Sequence, residues 1–369
     1  MIKGVYIHIP FCDKICTYCD FAKMVAKDDL KIEYMQALVR ELEYFSDLTA
    51  RSETIYIGGG TPTSIPLDIL EAFLKELSTV VNLEKIEEFT IEANPCDITS
   101  DLLKILKKYH ITRISMGVQS MDKNLLKFLG RNHTEEDVIN AIKLIREFGF
   151  DLNLDFLYAI PGQTQEVLLK DLEFIKNFNP EHISYYSLII EDRTIINYWI
   201  NSRKVSDFPD DLARDFADVI DDHLKKYGYN KYEVSNYAKP SHESKHNLIY
   251  WNVEEYIGLG LNASSQYNYI RMKNPKNVKE YIEGTKKHAL NMHEIEEYNP
   301  KLEIVLLGLR KVEGFSLDEY KKRIKKDVFE VYPVLKKHLN NGLLEISSGN
   351  LKLTDKGMYL ANQVYLDII

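Results

Sequence analysis

The sequence predicts an α/β fold with parallel strands, and three observations support this class. Six short runs rich in β-branched and aromatic residues recur along the first half of the chain. Each run is followed by a segment with helical periodicity, and six such units in a row place parallel strands side by side with helices outside. The units are about 30 to 40 residues long, which suits a closed or open barrel and a doubly wound sheet equally well.

The individual elements follow from local patterns. The predicted strands are Val5–Ile9, Thr54–Ile57, Glu88–Ala93, Arg113–Val118, Asn153–Ala159 and His182–Ile189. The first helix carries one apolar stripe with the spacing of a buried face, formed by Leu30, Tyr34, Leu38, Leu42 and Phe45. Later helices are predicted at Leu67–Val80, Asp101–Tyr109, Glu135–Phe148 and Gln165–Phe178, with Thr99 and Thr134 as two of the caps.

The alternation of strands and helices breaks after about residue 200. A helix over Asp210–Tyr227 precedes an aromatic, Asn-rich stretch from Tyr229 to Tyr269 that we predict to be irregular. Further helices are predicted at Pro300–Leu309, Leu317–Ile324 and Val331–Asn341, before a short hairpin around residues 342–354 and a last helix from Asp355. We therefore expect two domains, residues 1–228 and a smaller, mainly helical, winged-helix-like domain over residues 229–369.

Composition narrows the class of protein. The formal net charge of −9 gives no positive field for nucleic acid, so we expect no nucleic-acid partner. No apolar run approaches the roughly 20 residues that span a bilayer, and the amino terminus lacks the apolar segment of a signal peptide. These features predict a soluble cytoplasmic protein.

Three of the four cysteines fall within eight residues, at Cys12, Cys16 and Cys19. Clustered cysteines in a cytosolic protein favour metal or redox chemistry over disulfides. The spacing C-x3-C-x2-C allows one loop to wrap a [4Fe–4S] cluster, and three thiolates leave one iron open for a further ligand. Zinc is the alternative, and it needs a fourth protein ligand such as His8 or Cys96.

The cysteine motif after a first strand resembles the radical S-adenosylmethionine superfamily. The wider phrase Tyr6–Cys12, YIHIPFC, is similar to the oxygen-independent coproporphyrinogen III oxidase family. Further matches run through the chain: Gly58–Thr63 (GGGTPT), Glu92–Pro95 (EANP), Gly117–Ser120 (GVQS), Leu129–Arg131 (LGR) and Asp155. The resemblance implies a partial (β/α)6 barrel, similar to a TIM barrel but incomplete, with the cluster at Cys12, Cys16 and Cys19.

The resemblance also implies where S-adenosylmethionine binds. The implied contact residues are Tyr6, Tyr18, Gly59, Gly60, Thr61, Glu92, Gln119, Arg131 and Asp155. Uncovered glycine backbone allows close approach of the cofactor's amino group, and the Arg131 guanidinium can pair with its carboxylate. Each residue taken alone also fits a turn, a salt bridge or a satisfied buried polar group. Their joint order along successive strands favours the functional interpretation.

Two features indicate the haem chaperone branch of this family. The oxidases carry a further cysteine two residues after the third, where this chain has Phe21. The segment His246–Trp251 fits the motif H-N-x-x-Y-W, which in that branch is implicated in holding haem. The resemblance therefore implies haem as cargo, haem-accepting proteins as partners, and membrane contact only through such acceptors. The implied haem contacts are His246, Asn247, Tyr250 and Trp251.

Alternatives remain open at this point. Oxidative decarboxylation of coproporphyrinogen III is the rival activity, and a haem-binding protein whose cluster is only structural is the rival class. The His246–Trp251 segment also fits ordinary core packing. Three positions depart from the family pattern: Ser264 replaces a histidine, Ala159 replaces a glycine, and Cys96 stands where glycine is common.

Overall fold

A computed structural model describes residues 1–287 and 293–369 of the chain. Twelve strands form one mixed sheet in the spatial order β12-β11-β10-β9-β1-β2-β3-β4-β5-β6-β8-β7. The strands are β1 (Gly4–Ile9), β2 (Thr54–Gly59), β3 (Glu88–Ala93), β4 (Arg113–Gln119), β5 (Asp151–Tyr158), β6 (His182–Ser187), β7 (Asn230–Lys231), β8 (Asn236–Ala238), β9 (Tyr256–Leu259), β10 (Ser264–Tyr267), β11 (Ile270–Lys273) and β12 (Glu294–Glu296).

The six predicted strands are parallel and lie side by side in chain order. A doubly wound sheet reverses its strand order at a switch point, whereas this sheet does not, so it is the singly wound arrangement of a barrel. The barrel is partial because β9 extends the sheet beyond β1 and β8 extends it beyond β6. The predicted α/β class and incomplete barrel are confirmed.

Nine α-helices precede β7 in the chain. They are α1 (Asp28–Tyr44), α2 (Ser46–Thr49), α3 (Leu67–Val80), α4 (Ser100–Lys108), α5 (Lys123–Phe128), α6 (Glu135–Glu147), α7 (Gln165–Phe178), α8 (Ile195–Asn201) and α9 (Asp210–Lys226). The caps agree with prediction: the Thr99 hydroxyl accepts from Leu102 N, and Thr134 forms a capping box with Asp137.

Side chains alternate between two environments along the barrel strands. On β1, Val5, Ile7 and Ile9 are fully buried in the main hydrophobic cluster beneath the helices. On β5, Asn153 and Asp155 line an internal cavity. Parallel strands packed on both faces are usually apolar throughout, so this alternation shows that one face of the sheet lines a polar lumen. The lumen is what positions the candidate site.

The remaining elements follow α9. The helices are α10 (Lys245–Trp251), α11 (Val278–Lys286), α12 (Pro300–Gly308), α13 (Leu317–Ile324), α14 (Val328–Val331), α15 (Leu335–Asn340), α16 (Asp355–Tyr359) and α17 (Ala361–Ile368). A second sheet contains β13 (Phe315–Ser316), β14 (Leu344–Ser347) and β15 (Asn350–Leu353), and the last two form the predicted hairpin. No helix in residues 1–287 and 293–369 is long and apolar enough to cross a bilayer.

Two local predictions for the part of the chain after residue 228 were wrong. The stretch 229–269 is not irregular: it contributes β7 to β10 and α10, elements of two to seven residues that are too short to show a period. The main sheet therefore continues past the boundary predicted after residue 228. The helix predicted over Val331–Asn341 is split into α14 and α15 around Pro333, because proline lacks the N–H that a continuous helix would use.

Candidate functional site

The three clustered cysteines lie on a loop that leaves the carboxyl end of β1. The base of the loop is closed by Cys12 N donating to Met24 O at 3.0 Å and Met24 N donating to Pro10 O at 2.7 Å. Its middle is fixed to the end of α5, because Thr17 N donates to Leu129 O at 3.0 Å. All four cysteines of the chain are free thiols. The loop conformation is thus held by backbone hydrogen bonds that involve no thiol.

A chain of polar contacts links two of the thiols. The Thr61 hydroxyl lies 3.8 Å from Cys12 Sγ, and Asn94 Nδ2 donates to Thr61 Oγ1 at 3.2 Å. Arg131 Nη2 donates to Asn94 Oδ1 at 2.8 Å, and its Nη1 lies 3.7 Å from Cys16 Sγ. Burial raises the pKa of the Cys12 thiol to about 11, with the Thr61 contact opposing the shift. The contacts from Thr61 and Arg131 place a donor and a positive charge where thiolates would need them.

The glycine run at the end of β2 lets the backbone pass very close to neighbouring atoms. A side chain at Gly59, whose φ is +119°, would begin 2.5 Å from the His8 imidazole. A side chain at Gly60 would begin 2.6 Å from the carbonyl oxygen of Phe11. Gly59 N donates to Glu92 Oε2 at 2.9 Å, so this turn also orients the Glu92 carboxyl group.

Glu92 and Asp155 project into the lumen from β3 and β5. Tyr56 donates its hydroxyl to Glu92 Oε1 at 2.9 Å, and removal from bulk water raises the pKa of Glu92 to about 7. Asp155 accepts from Ser115 Oγ at 3.1 Å and Asn153 Nδ2 at 2.8 Å, and burial raises its pKa as well. These carboxyl groups can accept hydrogen bonds from ribose hydroxyls or an amino group.

Gln119 ends β4 in an unusual conformation. Its φ is +68°, and the pairing of β4 with β5 shifts register between Gly117 and Gln119. Such bulges re-aim side chains beside functional sites. Gln119 is buried, and its side chain lines the same cavity as Arg131.

Most of the predicted site residues line one cavity of about 520 Å³. The predicted residues that line it are Cys12, Cys16, Tyr18, Cys19, Gly59, Gly60, Thr61, Glu92, Gln119, Arg131, Asp155 and Asn247. Tyr6 is not among the lining residues, because its hydroxyl is directed to His8 Nδ1 at 2.9 Å and its ring lies beside Tyr56. The volume is typical of sites for small molecules and cofactors.

The geometry gives no support to zinc at the cysteines. Within residues 1–287 and 293–369, no three His, Cys, Asp or Glu side chains converge tightly enough to hold one metal ion. His8 cannot serve as a fourth ligand as placed, since its nitrogens bond Tyr6 and the Ala22 carbonyl. Cys96 is exposed and does not line the cavity. Cys12, Cys16 and Cys19 all line one cavity, so their thiolates would be the residues that hold an iron–sulfur cluster there.

The His246–Trp251 segment forms α10 at the opposite end of the strands from the cysteines. His246 Nδ1 hydrogen-bonds Thr54 Oγ1, and Nε2 hydrogen-bonds the Tyr250 hydroxyl, both at 2.8 Å. The imidazole is 1% exposed and stacks on Tyr56, and burial lowers its pKa to about 3. Trp251 is covered by the Arg310 guanidinium, 4.6 Å from its ring centre. Of the four predicted haem contacts, the structure places only Asn247 on the cavity.

Comparison with known proteins adds to this geometry. The Radical SAM superfamily model matches residues 6–175, and the HemN C-terminal domain model matches residues 301–360. The Heme chaperone HemW of Lactococcus lactis subsp. lactis is 37% identical over 366 residues, covering 98% of this chain and 96% of that protein. This chain belongs to the Heme chaperone HemW family. The Heme chaperone HemW of Bacillus subtilis is 34% identical over 372 residues, and the match covers 99% of this chain and 98% of that protein.

A solved structure supports the fold independently. Coproporphyrinogen III oxidase (HemN) from Escherichia coli superimposes with a TM-score of 0.83 at 22% identity, covering 100% of this chain and 90% of that one. The HemW relatives confirm the resemblance inferred from the sequence motifs, and this superposition confirms the fold. Membership in the radical S-adenosylmethionine superfamily implies a [4Fe–4S] cluster and S-adenosylmethionine as cofactors.

The structure adds site residues that sequence reasoning missed within this HemW-family chain. Asn94 bridges Thr61 and Arg131, and Ser115 and Asn153 hold Asp155. The phrase Glu92–Pro95 contained Asn94, so that residue could have been named. Ser115 and Asn153 are recognisable only from the strand register, which pairs them directly.

The departures from the family pattern fall in different places. Ser264 begins β10 and does not line the cavity, so this replacement of the family's histidine lies outside the cavity lining. Ala159 has a φ of +57°, which explains why glycine is customary at this position.

Proposed function

We propose that this protein binds haem and passes it to acceptor proteins, with a [4Fe–4S] cluster and S-adenosylmethionine held in the barrel. The observation that carries the proposal is the conjunction of a three-thiol cavity with membership of a family whose members are named heme chaperones. The proposal keeps the cytoplasmic location expected from the sequence. The acceptors would be apo-proteins that take up haem.

In this proposal Cys12, Cys16 and Cys19 hold the cluster. When bound, the cluster would supply one electron for reductive cleavage of the cofactor's sulfonium. Arg131 offers a buried positive charge beside Cys16, and Asn94 fixes its orientation. Loading deprotonates the thiols, because thiolates and not thiols are the metal ligands.

The lumen residues would bind and orient the cofactor. Glu92 and Asp155 present carboxyl oxygens into the cavity, and Gln119 adds an amide that both donates and accepts. The glycine backbone at Gly59 and Gly60 leaves room beside them. Tyr6, which lies outside the cavity lining, would act by holding His8 rather than by touching the cofactor.

Anaerobic reconstitution with iron, sulfide and haem tests the proposal. We expect about four irons and four sulfides per chain and a separate haem absorbance band. The triple variant Cys12→Ala, Cys16→Ala, Cys19→Ala should lose the cluster and keep haem. Cys96→Ala is the matched control, since this exposed cysteine lies outside the cavity.

The rival activity is tested with coproporphyrinogen, reductant and S-adenosylmethionine. We expect no protoporphyrinogen, even where cofactor cleavage is measurable. Formation of protoporphyrinogen with two carbon dioxides released would overturn the chaperone proposal. Transfer is tested by mixing the haem-loaded protein with an apo-haem protein and following the acceptor's absorbance.

A further inference from the structure

We infer that haem sits on the rim of the cavity at the cluster end of the barrel, and not at His246. This inference rests on the proposed function and names its binding surface. The surface, which we call the mouth rim, consists of Lys14, Ile15, Phe21, Lys23 and Ile189, all of which line the cavity.

The mouth rim is apolar and unusually open. Phe21 is 71% exposed, Ile189 is 69% exposed and Ile15 is 40% exposed. Grouped exposed apolar side chains beside a pocket indicate an apolar partner. The interior of the cavity is polar, because Glu92 and Asp155 line it. A flat hydrocarbon ring placed there would cover these carboxyl groups without offering them hydrogen-bond partners. The polar cofactor and an apolar macrocycle therefore have separate places.

Two lysines make the mouth rim suited to haem rather than to a purely apolar ligand. Lys14 Nζ donates to Asn132 Oδ1 at 2.8 Å, and Lys23 Nζ donates to the Cys19 carbonyl. An ammonium has three N–H groups, so each lysine keeps donors for a carboxylate. Haem offers one flat apolar ring and two propionates, which matches this combination. Asp20 and Glu191 also line the cavity mouth and would repel the haem propionates, so the propionates would lie at Lys14 and Lys23.

The mouth rim is preorganised on both sides. The loop that carries Phe21 is closed by the Cys12–Met24 backbone bond. Ile189 follows Leu188, whose N–H donates to Tyr158 O at 2.9 Å and whose side chain lies in a small hydrophobic cluster with Ile196. Because no thiol takes part, the surface should persist without the cluster.

His246 cannot reach this surface. It bonds Thr54, the first residue of β2, whereas the cysteine loop begins after the last residue of β1. A six-residue strand separates such ends by about 17 Å. Ligation of iron by His246 would also require the loss of a hydrogen bond to Thr54 or Tyr250 in a buried site.

The test is a haem titration of the full chain followed by Soret absorbance. Phe21→Ala combined with Ile189→Ala should weaken haem binding by about tenfold or more, because two exposed apolar contacts are lost. Lys14→Ala with Lys23→Ala should weaken it by about threefold to tenfold. Tyr269→Ala is the control, since this tyrosine is 84% exposed and outside the cavity lining.

Two further arms separate ring contact from iron ligation. Metal-free protoporphyrin should compete with haem at comparable concentration, and His246→Gln should bind haem as the wild type does. Normal binding by the Phe21/Ile189 variant, together with loss in His246→Gln, would overturn the inference while the chaperone proposal stands. Failure of the wild-type protein to bind haem would instead refute the proposed function.

Discussion

Glu92 is a buried acid whose pKa the fold raises. Its pKa is raised to about 7, first through removal from water and only partly offset by the Gly59 N–H. A raised carboxyl pKa means that the folded state binds the proton more tightly than the unfolded chain, whose value is near 4.5. The contribution to stability is therefore present below about pH 4.5 and is lost as the pH rises through 7.

Replacement of Glu92 by glutamine tests this. The amide can accept from Gly59 N–H and donate to the Tyr56 hydroxyl, so the change removes the ionisation and keeps the contacts. Without cofactor, Glu92→Gln should gain on the order of 2 kcal/mol over wild type between pH 5 and pH 8, allowing for screening at the cavity. Urea unfolding at both pH values measures the gain. An equal difference at both would show that Glu92 titrates normally.

Residue-scale interpretation from sequence succeeded where the motif carried a backbone reason. The backbone at Gly59 and Gly60 passes too close to neighbouring atoms for a side chain to fit. Ala159 has a positive φ, which the backbone just after β5 requires of any residue at that position. His246 was different: its partners Thr54 and Tyr250 are fixed by the tertiary structure, and Thr54 lies 192 residues away. No local pattern reveals that both imidazole nitrogens are already used.

The element that joins the halves of the structure is α10, and Glu88 fixes its start. The Glu88 carboxylate accepts from Ser244 Oγ at 3.1 Å, Lys245 N at 2.9 Å and His246 N at 3.1 Å, and it lies 3.3 Å from Arg113. Both partners of the ion pair are buried. An acceptor at free N–H groups of a first helical turn stabilises the helix end.

Glu88→Ala should destabilise the protein by about 3–5 kcal/mol, because it leaves the buried Arg113 cation and three donors with fewer partners. Its neighbour provides the control. Glu87 pairs with Lys245 in solvent, so Glu87→Ala should cost less than about 1 kcal/mol. Urea unfolding of both variants measures the difference. Similar small losses would show that water replaces the Glu88 contacts.

Long elements were predictable and short ones were not, for a physical reason. Helices such as α3 and α7 contain enough turns for the apolar stripe to identify both ends. Strands β7 to β10 are two to four residues long, and they form because the barrel edges at β1 and β6 offer unpaired backbone groups. Their stability comes from a partner strand far away in sequence, so a local window contains no signal for them.

At the scale of the whole molecule, α10 is held at its two ends by different parts of the chain. Its amino end is held by Glu88 of the barrel, while Arg323 of α13 donates to Asn252 O at 3.0 Å and Val253 O at 2.8 Å just after its carboxyl end. Val253 belongs to the second hydrophobic cluster, whose other buried members all lie at residue 304 or beyond. We therefore expect the two cores to unfold together.

The two tryptophans allow this coupling to be measured. Trp199 lies on α8 of the barrel, and Trp251 ends α10 under Arg310. If the two cores unfold together, the Trp199→Phe and Trp251→Phe variants, each with one remaining tryptophan, should each report a single urea transition. The two midpoints should differ only by each variant's change in stability. Far-ultraviolet circular dichroism of the same variant gives the reference midpoint.

Arg323→Ala removes two charge-assisted bonds to carbonyl oxygens and should lower the stability of the protein by about 1.5–3 kcal/mol. It should also separate the two fluorescence midpoints from their circular dichroism references, because the carboxyl-terminal core is then free to unfold first. Separate transitions already present with Arg323 in place would show that the two cores unfold independently and that α10 does not couple them.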